Sequence, residues 1–170
     1  MQLSVENYMV HHYPAIETFP NVAKKVLFTM MKKLFHENQI NTFMTENAHK
    51  DTFSYVEAIV DYFDISIGLK TNELMHIPSY GRTVIIANHP LGALDAMALL
   101  HLLKDVRKDI KIVANSFLSQ FDNLKDIIIP VDNITGKMSK ETVTNIYDAL
   151  GAEQAVIIFP SGEVSRARPN

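Results

Sequence analysis

Apolar positions along the chain follow two different rhythms. Over residues 22–37 they recur at helical spacing: Ala23, Val26, Leu27, Met30, Met31 and Leu34 share one side, while Lys25, Thr29, Lys32 and Lys33 take the other. The spacing predicts a helix. Its apolar side is expected to pack on the sheet or on another helix rather than on lipid, although its lysines would suit an anionic membrane surface. A second helix is expected over residues 51–63, with Asp51-Thr52 available as its cap. Further along, short β-branched runs at 83–87, 110–114 and 155–159, with 126–131 as a fourth, alternate with helical stretches at 94–105 and 140–150. That alternation predicts an α/β fold: a largely parallel sheet flanked by helices. No internal repeat, low-complexity tract or Gly/Ser linker interrupts it. The economical division is therefore an N-terminal helical extension, residues 1–75, packed on an α/β core, residues 76–170, as one structural unit.

Composition narrows this picture. The chain has 170 residues, 47% of them hydrophobic, a formal net charge of -3, no cysteine and no tryptophan. These values fit one α/β domain with a sizeable core. Without cysteine there is neither a disulfide nor a thiol nucleophile, which fits a reducing compartment. Near-neutral charge argues against general nucleic-acid binding. Met1-Gln2-Leu3-Ser4-Val5-Glu6 lacks the basic-then-apolar layout of a signal peptide, and no apolar stretch approaches the roughly 20 residues that span a bilayer. Membrane association is expected to be peripheral, on the inner face of the cytoplasmic membrane.

Candidate chemistry sits directly after the first strand. Ala87-Asn88-His89-Pro90-Leu91-Gly92-Ala93-Leu94-Asp95 puts a histidine and a carboxylate where a strand gives way to a helix. Pro90 cannot continue a strand and Gly92 permits a tight bend. His89 is thereby expected at the sheet's carboxyl edge, where open α/β sheets bind ligands. It is a candidate general base with Asp95 as its orienting partner, because imidazole ordinarily titrates near neutrality and a carboxylate on one ring nitrogen fixes the tautomer. His11, His12, His36, His49, His76 and His101 show no metal-ligand spacing, so no metal is expected.

These residues resemble the first block of the glycerolipid acyltransferase family, the 1-acyl-glycerol-3-phosphate acyltransferases and their relatives. Most members have four residues between the histidine and the aspartate; here Pro90 to Leu94 make five. The Asn-His-Pro-Leu-Gly-x-x-Asp wording is closer to the hemolysin-like branch, which includes O-acyltransferases that complete ornithine-type and glycine-type aminolipids. Ile157-Ile158-Phe159-Pro160-Ser161-Gly162-Glu163-Val164-Ser165-Arg166 resembles the third block, usually Phe-Pro-Glu-Gly-Thr-x-Ser, with Ser161 in place of Glu and Glu163 two positions later. Val113 to Leu118 and Ile127 to Val131 resemble the second block. In phosphate-handling members that block carries an arginine, yet none occurs between Arg107 and Arg166.

The resemblance implies a peripheral enzyme that moves a fatty acyl group from acyl-carrier protein or coenzyme A to a lyso-lipid hydroxyl, with no cofactor beyond that thioester. His89 and Asp95 would be catalytic. Asn88, Gly92, Asn115, Ser161, Gly162, Glu163 and Arg166 would bind substrate. Since the acceptor's own hydroxyl attacks, no serine need be acylated. A glutamate beside arginines matches a zwitterionic aminolipid head better than lysophosphatidic acid. Members usually continue past the third block through another strand and further helices, so a C-terminal part is expected to be missing here. Two other classes stay open: a lipid ester or thioester hydrolase, which the lack of a Gly-x-Ser-x-Gly elbow disfavours, and a non-catalytic lipid-binding module.

Overall fold

The computed structural model describes residues 2–69, 72–131 and 138–160. The chain divides into two compact units: Met1–His49 with Gln120–Asp122, and Lys50–Ser119 with Asn123–Asn170.

The first unit is helical. α1 (Val5–His12), α2 (Asn21–Leu34) and α3 (Glu37–Glu46) follow one another, with a short 3-10 turn at Pro14–Thr18. Ser4 caps α1 by accepting the Asn7 N–H. The start of the chain is tied to α3: Leu3 N–H donates to Asn41 Oδ1 at 2.7 Å, Asn41 Nδ2 returns a bond to the Leu3 carbonyl, and Val5 N–H donates to Glu37. Two findings correct the sequence reading of this region. The helix expected to reach residue 37 ends at Leu34, because His36 takes the left-handed conformation at φ 51° and restarts the chain as α3. Histidine enters that region more readily than most residues. And α2 does not bury the whole apolar side assigned to it. Phe28 is buried, with Leu27 and Met31 partly so, while Val22, Val26, Met30 and Leu34 stand in solvent.

The second unit holds the sheet. β1 (Thr83–Ile86), β2 (Ile110–Asn115), β3 (Ile128–Val131) and β4 (Ala155–Ile158) are all parallel, in the order β1-β4-β2-β3. α5 (Ala93–Leu103) links β1 to β2 and α6 (Lys140–Gly151) links β3 to β4. These crossovers run in opposite directions across the sheet, so right-handed connection puts α5 and α6 on opposite faces. On the α6 face, Val113, Ile129 and Val156 enclose Ala149. On the other, Ile112 pairs in register with Ile157, both nearly inaccessible. α4 (Thr52–Tyr62) is capped by Asp51, which accepts the Ser54 N–H, and packs against α5. The fold class is the expected one: α/β with a parallel sheet.

The amino edge of the sheet is fixed by Arg107, which is 4% exposed. Its guanidinium grips Asp109 with two bonds of 2.8 and 2.7 Å and also donates to the carbonyls of Pro78, Gly81 and Glu153. One side chain thereby ties the approach to β1, the start of β2 and the turn before β4. The same arginine holds the Asp109 carboxyl below the usual carboxylate range, chiefly through its hydrogen bonds.

Candidate active site

β1 and β4 are neighbours with Ile86 level with Ile158, so the segments that leave their carboxyl ends emerge side by side. Ala87 extends the pairing by donating its N–H to the Ile158 carbonyl at 3.3 Å. The chain then turns through residues 88–92 into α5. Gly92 caps that helix at φ 68°, ψ -135°, a conformation that a side chain disfavours strongly. Asp95, in the first turn, accepts the Leu91 N–H on Oδ2 at 2.8 Å. A carboxylate at this position satisfies an exposed backbone donor and suits the positive end of the helix dipole.

That places Asp95 beside His89. Oδ2 lies 3.4 Å from His89 Nδ1, and the two side chains are 16% and 19% exposed. Nδ1 is buried without a well-aligned hydrogen bond, so the contact is close but bent. Such bonds commonly straighten and shorten when substrate arrives. With Nδ1 turned to the carboxylate, Nε2 is the nitrogen left for proton transfer. The other wall of the imidazole is Phe159, whose ring stacks on it with centroids 4.2 Å apart and planes 27° from parallel. Phe159 follows β4 and is 9% exposed. The stack joins the first sequence block to the start of the third across the β1–β4 pair.

Other expected residues fare differently. Gly92 shapes the turn, and Asn88 is exposed beside His89. Asn115, at the carboxyl end of β2, spends its side-chain oxygen on the Phe117 N–H at 2.8 Å, which shapes the 3-10 turn Ser116–Gln120. Ser161, Gly162, Glu163 and Arg166 lie outside the described residues. The stacking role of Phe159 and the Leu91 N–H were not anticipated. For Phe159 the available signal was its place at the end of a strand-like run within the third block.

A family model described as acyltransferase matches residues 15–169. The chain belongs to this acyltransferase family. Two curated relatives are similar to it. A lyso-glycine lipid O-acyltransferase of Bacteroides thetaiotaomicron is 29% identical over 143 residues, covering 84% of this chain and 52% of the relative. One of the same name from Phocaeicola vulgatus is 26% identical, covering 84% and 50%. The chain thus spans about half the length of the curated relatives it matches. No solved structure matches it significantly. Among the described residues, no helix is long and apolar enough to cross a membrane.

Proposed function

We propose that this acyltransferase is a lyso-lipid O-acyltransferase that uses His89 as general base. The observation that carries the reading is the convergence of His89, Asp95 and Phe159 at the carboxyl ends of β1 and β4. The acceptor hydroxyl gives its proton to Nε2 as its oxygen attacks the thioester carbonyl. Collapse of the tetrahedral intermediate forms the ester, breaks the carbon–sulfur bond and returns the proton to the thiolate of the carrier. Asp95 stabilises the imidazolium that forms in between and holds the ring's tautomer. Phe159 keeps the ring in its plane.

The acyl donor is a thioester of acyl-carrier protein or coenzyme A. The acceptor is a lyso-aminolipid, supported by the names of the two relatives and by the lack of an arginine between Arg107 and Arg166. Ser161, Gly162, Glu163 and Arg166 hold its head group. Because that acceptor is a membrane lipid, the protein works peripherally at the inner face of the cytoplasmic membrane.

Product analysis with a labelled acyl thioester tests this. The full-length protein, offered lyso-glycine lipid and lysophosphatidic acid in competition, is expected to yield chiefly the diacyl aminolipid. Labelled free fatty acid in its place would mark a hydrolase. Acceptor binding with no turnover would mark a lipid-binding module.

A further inference from the structure

α2 leaves an apolar ridge in water. Val22, Val26, Met30 and Leu34 are 78%, 55%, 66% and 69% exposed. Steps of four residues advance around a helix by only about 40° each. The four positions therefore form one contiguous strip on the side away from Phe28. Isolated exposed apolar residues are ordinary; a continuous strip marks an interaction surface.

Charge says what kind of surface it meets. α2 carries Lys24, Lys25, Lys32 and Lys33 and no acidic residue. Lys32 is held by Glu6 at 3.1 Å and Lys24 reaches the Glu17 carbonyl. Lys25 and Lys33 have no acidic partner among the described residues. At helical spacing Lys25 flanks the strip near Val22 and Val26, and Lys33 falls at the strip's margin in the last turn near Met30 and Leu34; their long stems let the ammonium groups rise to head-group level while the apolar neighbours go deeper. A second copy docking ridge to ridge would bring two sets of lysines together. An anionic lipid surface satisfies the apolar strip and the cations at once.

We propose that α2 is an in-plane membrane-docking helix that seats this ridge in a bilayer rich in anionic lipids. This rests on the reading that the acceptor is a membrane lipid, and it names the surface that brings the protein to it.

Vesicle flotation of the full-length protein tests the proposal without requiring turnover. Wild type is expected to float with mixed phosphatidylglycerol and phosphatidylcholine vesicles, much less with phosphatidylcholine alone, and less at high salt, which shortens the Debye length to about 3 Å near 1 M. Lys25→Gln with Lys33→Gln should weaken binding by about fivefold per charge, or roughly 25-fold together. Val26→Asp with Met30→Asp should abolish flotation while leaving the circular dichroism spectrum unchanged. If that pair misfolds, Val26→Gln with Met30→Gln supplies the same comparison. On a short-chain acceptor dissolved as monomers, the ridge variants should turn over like wild type.

Failure of wild type to float, or undiminished flotation of the folded ridge variants, would overturn the assignment. So would a wild-type dimer that the same substitutions convert to monomer, which would give the ridge to a second copy. A protein that floats through α2 but transfers no acyl group would instead overturn the catalytic reading alone.

Discussion

In Asp95 a single carboxylate oxygen accepts the Leu91 N–H at 2.8 Å and lies 3.4 Å from His89 Nδ1, so the turn and the imidazole depend on the same side chain. Asp95→Asn separates the two duties. The amide oxygen can still accept the Leu91 N–H, whereas the charge that stabilises an imidazolium is gone. We expect a melting temperature within a few degrees of wild type and acyl transfer reduced by roughly 10²-fold or more. A large drop in melting temperature with turnover per folded molecule unchanged would reduce Asp95 to a helix-start residue. His89 and Asp95 could be read from sequence because seven consecutive positions hold both. Phe159 could not be tied to them in the same way. It reaches His89 only through the pairing of β1 with β4, and no local pattern encodes that pairing.

Among elements, the strands were legible and the helical breaks were not. Runs of β-branched residues bounded by polar turns gave each strand to within about two residues, because burial on both faces of a parallel sheet demands such runs. α1 shows no strong apolar period, and the break between α2 and α3 falls on His36, with neither glycine nor proline to mark it. The exposed ridge of α2 was hidden for a different reason: its apolar arc is wider than one neighbour covers, and periodicity cannot say which half is covered.

At the start of α5 the glycine is diagnostic. Gly92→Ala imposes a side chain at φ 68°, ψ -135°, and should cost about 1–3 kcal/mol in urea unfolding while displacing His89 from Asp95. An unchanged midpoint would show that the turn relaxes freely. At the opposite edge of the sheet, Arg107 holds the Asp109 carboxyl low. The unfolded chain then takes up that proton before the folded one does. The stabilisation is complete above the ordinary carboxylate range and is lost as pH falls through it and below. Asp109→Asn should flatten the acid limb of a stability-against-pH curve. An identical limb would mean that solvent screens the pair fully.

For the whole molecule, the parallel order β1-β4-β2-β3 brings the ends of β1 and β4 together, and with them two motifs about seventy residues apart in sequence. The fold therefore makes a site from segments that are individually unremarkable as strand exits. The same sheet leaves Val84 and Ile86 of β1 47% and 70% exposed, in a chain spanning about half of its curated relatives. The central claim concerns His89 as the base, and it is tested most directly in the full-length protein. Formation of labelled diacyl lipid from an acyl thioester and a lyso-aminolipid should be measured for wild type and His89→Ala, with melting temperatures taken alongside. The account predicts a folded His89→Ala protein that binds acceptor and loses about 10²–10⁴-fold in turnover; a folded variant that forms diacyl lipid at the wild-type rate would contradict it.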